Sequence, residues 1–267
     1  MDFIESKDNP RYKSALNIRK GKDSGLIFVE GARLCEEALK SGLKIELALF
    51  SKEFLGSAGT LARQIESAAR DAAVLKTRLF DSISDTKNPQ GAALVCERPV
   101  STLETIRTRL QDPSTAVPIA VMLLEINNPG NLGAVLRTVE AAGAAGVVTS
   151  KGSVDAFSPA VLRGSMGASF RLPLAEKVSE SEAFEWARQA GLRVIVTDSN
   201  APTLYTDADL TSPALLVFGS EAHGLSKAAL ESADLGLRIP LDDRVESLNL
   251  AVSAGVLLFE AKRQARH

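Results

Sequence analysis

Cysteine and histidine are almost missing from this chain: only Cys35 and Cys96, and two histidines, occur in 267 residues. Two thiols without a pairing pattern exclude a disulfide framework and fit a reducing, cytoplasmic setting. So few sulfur and imidazole ligands also supply no set with structural-zinc spacing, so no metal is expected. No apolar run approaches the ~20 residues that a membrane-spanning helix needs. The opening MDFIESKDNPRYK carries no apolar stretch of the kind found in a signal peptide. One-sided charge is lacking too. Lys and Arg number 31 against 33 Asp and Glu, a net charge of −2, and bulk electrostatics do not announce a nucleic-acid binder. Three common signatures are absent. Without G-x-G-x-x-G or G-x-x-x-x-G-K-[ST], simple dinucleotide and P-loop readings lose their main support. Ser165 and Ser220 lack the G-x-S-x-G elbow, which with scarce histidine argues against a Ser/His/Asp triad.

What is present is an ordinary globular composition, 45% apolar and 24% charged, long enough for one large or two modest domains with real cores. Residues 1–97 read as a small α/β unit, with strands at Leu26–Val29, Ile45–Phe50, Val74–Leu75 and Ala92–Cys96 between helical stretches. That alternation implies a mostly parallel sheet with helices on both faces. Within it, Lys7 to Lys22 holds six Lys or Arg against one acid, Asp8. A solvated helix face explains this segment about as well as a phosphate-contacting patch. Residues 98–117 are rich in Pro, Ser and Thr and read as a linker with one helix-like patch at Leu103–Leu110. Residues 118–267 form a second α/β domain of five or six strands, opening with the buried-type run Ile119–Leu124. Ser158-Pro159 caps a helix leading to Gly164–Ala168.

In open α/β sheets ligands bind beyond the carboxyl ends of strands, and three loops qualify. The first is Asn127–Thr138, NNPGNLGAVLRT, where Asn131 stands at a helix start with Arg137 six residues on, roughly on the same side. Together they make a polar site for an anionic group, or else only a cap and a surface charge. The second is Phe218–Ser226, FGSEAHGLS, where Gly219 lets backbone approach a ligand and Glu221 follows a buried strand. Glu221 also reads as an acid placed against a helix dipole. The third follows the apolar run Leu235–Ile239, which Pro240 ends. After the charged loop Asp242–Glu246, Ser247 occupies an N-cap position ahead of a helix carrying Leu250, Val252, Val256 and Leu257. Asn, Arg, Glu, Ser and backbone groups without a metal suit group transfer by positioning.

In this order and spacing the three stretches resemble the SpoU (TrmH-type) family of RNA ribose 2′-O-methyltransferases. Its motifs are similar to N-P-G-N-L-G-A-V-L-R-T at Asn128–Thr138, F-G-S-E-A-H-G-L at Phe218–Leu225, and I-P-L with S-L-N at Ile239–Leu241 and Ser247–Asn249. The first domain resembles the RNA-binding domain of ribosomal-protein L30e type that often precedes this catalytic domain, through Asn9-Pro10-Arg11, Phe28–Gly31 and Asn88–Gly91. The resemblance implies an α/β fold whose C-terminal parallel-sheet domain is trefoil-knotted (SPOUT-type), S-adenosylmethionine as co-substrate, and a homodimer packed through the catalytic domain. It implies donor contacts at Gly219, Ile239, Leu241, Leu248 and Asn249. Asn131, Arg137, Glu221, Ser247 and Asn249 would line the reaction centre. Lys7, Arg11, Lys13 and Arg33 would meet RNA of the 23S ribosomal type. A tRNA target and a non-catalytic RNA-binding or assembly protein are the alternatives. Two departures stand out: Asp242-Asp243 replaces a usual Gly, and Leu250-Ala251 replaces Val-Ser.

Overall fold

Short β-branched and leucine-rich runs, each followed by a helix-forming stretch, set the element order. The computed structural model describes residues 1–220 and 223–265. Its first unit comprises Met1–Pro99 together with Phe157–Arg171, and its second Val100–Ala156 together with Leu172–His267.

The first unit runs β1 (Asp2–Ile4), α1 (Pro10–Arg19), β2 (Leu26–Glu30), α2 (Ala32–Lys40), β3 (Ile45–Ser51), α3 (Lys52–Ser57), α4 (Gly59–Ala68), β4 (Ala72–Leu75), α5 (Thr77–Ile83) and β5 (Ala92–Glu97). Asn9 caps α1, its side chain accepting from the Arg11 amide at 2.9 Å, with Pro10 at the first helical position. The strand order is β1-β4-β3-β5-β2. The expectation of a mostly parallel sheet needs correction here. β4 is parallel to β1 and β3, but β5 runs antiparallel to both β3 and β2. Glu30 is buried at the end of β2. Its carboxylate accepts from the Ser84 hydroxyl, the Asp85 amide at 2.7 Å and the Thr86 hydroxyl at 2.9 Å. A buried carboxylate is tolerated only with such partners. They hold residues 84–86 beside the carboxyl end of β2, and β5 runs back along β2 with Ala93 paired to Glu30. Phe28, Leu49, Leu75, Phe80 and Ile83 fill the core on one face.

The second unit starts with α6 (Leu103–Leu110), β6 (Val117–Leu123), α7 (Pro129–Ala142) and β7 (Ala144–Ser150). The stretch read as a linker therefore holds α6, which packs on β7 through buried Ile106. Next come α8 (Pro159–Ser165) and α9 (Ala168–Arg171), which belong to the first unit. Arg163 pairs with Asp85 at 2.8 Å and Arg171 with Glu37 at 2.7 Å, tying both helices there. Ser158 precedes α8 but makes no capping hydrogen bond, contrary to expectation; Pro159 starts the helix.

The chain continues with β8 (Leu174–Val178), α10 (Glu180–Gln189), β9 (Arg193–Thr197), β10 (Thr203–Leu204), β11 (Ala214–Phe218), α11 (Lys227–Ser232), β12 (Leu235–Arg238) and α12 (Leu250–Gln264). The sheet has seven strands, one more than the upper expectation, in the order β10-β12-β9-β11-β6-β7-β8. Every pair is parallel. Two-residue β10 is too short to register as an apolar period. Central β6 and β11 are buried almost throughout, as parallel strands covered on both faces are. α12 packs along α7. Among the described residues no helix is long and apolar enough to cross a membrane.

Candidate functional site

Neighbouring parallel strands β12, β9 and β11 bring their carboxyl ends to one edge of the second unit's sheet. A cavity of about 620 Å³ lies there, within the usual range for small-molecule sites. Thr197 at the end of β9 and Asp198 after it, Gly219 and Ser220 after β11, and Ile239 and Leu241 after β12 line it, with Ser247–Asn249 on the approach to α12 and Leu250 at its start. Phe218, Leu237, Leu248 and Leu257 supply apolar wall. Such walls suit the flat base of a nucleoside, with polar backbone at the strand ends for its hydrogen-bonding edge.

Gly219 shows that the wall is fitted closely. A Cβ there would meet the Gly224 carbonyl carbon at 2.5 Å and the Leu225 nitrogen at 2.8 Å. The chain folds back that tightly because the Ser220 amide donates to the Gly224 carbonyl at 2.8 Å and the Gly224 amide returns to Ser220 at 2.9 Å. The Ser220 hydroxyl accepts from the His223 amide at 2.9 Å. Glu221, assigned to the reaction centre by resemblance, lies outside the described residues.

The loop 239–249 contributes Ile239, Leu241 and Glu246–Asn249 to the lining. Asp242 makes a side-chain turn: its carboxylate accepts from the Arg244 amide at 3.2 Å and the Arg244 Nε at 3.0 Å. The Val245 amide donates to the Asp242 carbonyl at 2.8 Å. The Arg244 side chain holds the Asp242 carboxyl below the usual range. Asn249, not Ser247, caps α12, accepting from the Ala251 amide at 2.9 Å. Ser247 lies two residues outside the cap, on the cavity wall.

Asn249 also binds the first loop. Its side-chain amide donates to Asn131 Oδ1 at 2.9 Å, across 118 positions of chain. The cap of α7 is made by Asn128, whose side chain accepts from the Gly130 amide at 2.8 Å and the Asn131 amide at 3.2 Å. Two helix N-termini are thereby pinned beside the cavity. Arg137 departs from the reading that put it on Asn131's side. Six residues at 100° each leave the two about 120° apart around α7, and Arg137 is exposed and outside the cavity lining.

Of the four cations assigned to RNA, two face carboxylates. Arg11 pairs with Asp2 at 2.9 Å and Asp71 at 2.7 Å, and the hydrogen bond to Asp2 raises its pKa. Lys13 pairs with Asp8 at 2.7 Å and draws that carboxyl down. Lys7 and Arg33 are exposed. Sequence reasoning passed over Asp198, Ser220 and Glu246 as lining residues. The signal for Asp198 was available: it follows β9 as Gly219 follows β11.

Chemically, the site offers a fitted apolar slot, backbone at three strand ends, and amides and hydroxyls at a helix start. It is built to hold and orient a small amphiphilic molecule. Residues 118–259 match the SpoU rRNA Methylase family, and residues 9–93 match the MRM3-like substrate binding domain. The chain is 31% identical to the 23S rRNA (guanosine(2553)-2′-O)-methyltransferase RlmP of Bacillus subtilis, with 98% of this chain and 100% of that protein covered. It superposes on a crystal structure described as an RNA 2′-O ribose methyltransferase with a TM-score of 0.80 at 36% identity, covering 99% of this chain and 100% of the other. An AdoMet-bound rRNA methyltransferase from Sinorhizobium meliloti aligns with a TM-score of 0.84 at 28% identity, over 98% of this chain and 97% of that one.

Proposed function

The chain belongs to the SpoU rRNA methylase family and is an S-adenosylmethionine-dependent RNA ribose 2′-O-methyltransferase; from that premise we propose that its target is a 23S-type ribosomal RNA and that the strand-end cavity is the donor site. The observation that carries the second part is the fit at Gly219, where backbone fills the space of a side chain at the wall of a nucleoside-sized cavity. The ribosomal target rests on the likeness to RlmP along the full length of both chains.

When bound, S-adenosylmethionine supplies an electrophilic methyl group on a sulfonium, to be passed in line to the ribose 2′-oxygen. Backbone at Gly219, Ile239 and Leu248, with Leu241 and Asn249, holds the donor in this reading. Asn131 and Asn249, joined to each other, fix the start of α12 against α7 so that Ser247 keeps its place. Glu221 belongs to the same set. Arg137 holds the phosphate beside the target ribose and stabilises the developing alkoxide; guanidinium stays protonated and donates only. Alignment of this kind supplies ~7–11 kcal/mol in well-oriented reactions.

The first unit binds the RNA, with Lys7 and Arg33 as its open cations and Arg11 and Lys13 available where phosphate displaces their acids. The proposal further includes a trefoil knot made by the return of the chain through 239–249 to α12, a cytoplasmic location, and a homodimer. Support for the dimer comes from α12, where Val252, Val256 and Phe259 follow helical spacing on one face and the outer two are exposed by 51% and 48%. A second copy of this chain buries that stripe.

Primer extension on ribosomal RNA from a strain lacking the gene, at low dNTP, tests the target. One ribose-methylation stop should vanish and return with the wild-type gene. A full set of ribosomal stops with one lost from tRNA would reassign the substrate. Arg137→Ala should not restore the stop, while calorimetry shows donor affinity unchanged within twofold. Loss of donor binding as well would make Arg137 a structural residue.

A further inference from the structure

The cavity walls are electrically one-sided. Among the described residues that line it, the charged ones are Asp198 and Glu246, and none is Lys, Arg or His. Asp198 is partly buried directly after β9, and its Oδ1 accepts from the Asn200 amide at 2.8 Å, which fixes the carboxylate at the strand end. Glu246 is exposed, one residue before Ser247. Phe218, Leu237, Leu241 and Leu257 line the same cavity, apolar walls of the kind that concentrate the field of charges at a cleft.

We propose, resting on the reading of this cavity as the donor site, that Asp198 and Glu246 make it selective for the charge of its ligand, favouring the cationic sulfonium over the thioether product. S-adenosylmethionine and S-adenosylhomocysteine share the nucleoside and the amino-acid group. They differ by one methyl and one positive charge, so the apolar wall and the backbone groups hold both almost equally. Two negative charges, with no cation among the described lining residues, distinguish them. In the reaction the carbon–sulfur bond breaks with its electron pair going to sulfur, the carbon–oxygen bond forms, and the 2′-hydroxyl gives up its proton to solvent water. The sulfur ends neutral, and the attraction of the two carboxylates ends with its charge. Product thereby leaves a site that fresh donor prefers. The same field favours the charged ground state over a transition state in which sulfur's charge is fading, so it contributes to donor affinity and not to kcat.

Isothermal titration of the full chain with donor and with product tests this. Asp198→Asn with Glu246→Gln removes the charges, and the new amide oxygen keeps the Asn200 contact. Donor affinity should fall about 3- to 10-fold, as partly screened charges at a surface cleft allow, with product affinity unchanged. Raised salt should weaken donor binding to the wild type in the same selective way. Kinetically, KM for the donor rises, kcat does not fall, and product inhibition deepens relative to KM. Glu185→Gln, on exposed α10, is the control and leaves both affinities alone. An equal fall for donor and product would overturn the inference, leaving the two acids as shaping residues, and so would no fall for either. Glu246→Gln alone, on an exposed loop, gives the same selective loss in smaller measure should the double variant fail to fold. A wild type that binds neither ligand would instead defeat the donor-site reading, and this inference with it.

Discussion

At Gly219 the missing side chain is a steric requirement. Its neighbours at 2.5–2.8 Å from a built Cβ are backbone atoms of Gly224 and Leu225, which cannot swing aside as a side-chain tip does. Gly219→Ala is expected to lose about 1–3 kcal/mol of stability, the range for overpacking, and to weaken donor binding more than tenfold; a thermal melt and a calorimetric titration check the two parts. The importance of this glycine was legible in the sequence because it ends a buried apolar run. The cap of α12 was less legible. Ser247 and Asn249 are both good caps two positions apart, and local pattern does not separate them. The choice is made by Asn131, far away in the chain, whose Oδ1 engages the Asn249 amide. Arg137 shows what linear spacing leaves out: six residues along α7 set it about 120° around the helix from Asn131.

At the level of the element, α12 shows how much a correct helix assignment leaves unsaid. Its apolar period is readable, but the device at its carboxyl end is not. Glu260 accepts from Arg263 at 2.7 and 2.9 Å and from Gln264 at 2.9 Å. Gln264 in turn donates to the Ala208 carbonyl at 3.0 Å and accepts from the Leu210 amide at 2.9 Å. The Arg263 side chain, with Gln264 second, draws the Glu260 carboxyl down from 4.5 to about 2. A carboxyl depressed in the folded state stabilises fully above its unfolded pKa and loses that contribution as pH falls through the folded value. The last turn of α12 should therefore stay protected at neutral pH and loosen progressively between pH 4.5 and about 2. Hydrogen exchange of the 260–264 amides follows this directly. In Glu260→Gln protection should be lower at neutral pH and nearly flat across that window; an unchanged acid profile would remove Glu260 as the cause. The first unit's sheet makes a related point. Strand–helix alternation does predict parallel neighbours, but β5 pairs antiparallel with both β2 and β3, a direction that local pattern does not carry.

For the whole molecule, the family could be read from three short stretches of the second domain and the substrate-binding region from three more in the first, because backbone-controlled loops demand particular residue types. Association is harder to read, since Val252, Val256 and Phe259 look like core positions until the helix is seen with that face outward. Val252→Glu with Phe259→Glu should convert a dimer to a monomer in light scattering and leave the melting temperature within a few degrees. A wild-type monomer at micromolar concentration would dispose of the dimer. The double change should also cost activity, if the second copy completes the RNA path.

The path of residues 157–171 has a consequence for how the protein is made. A nascent chain emerging as far as Pro99 holds β1 to β5, yet α8 and α9, with Arg163 opposite Asp85 and Arg171 opposite Glu37, come later. The first unit therefore has all its parts only once β6, α7 and β7 have also been synthesised.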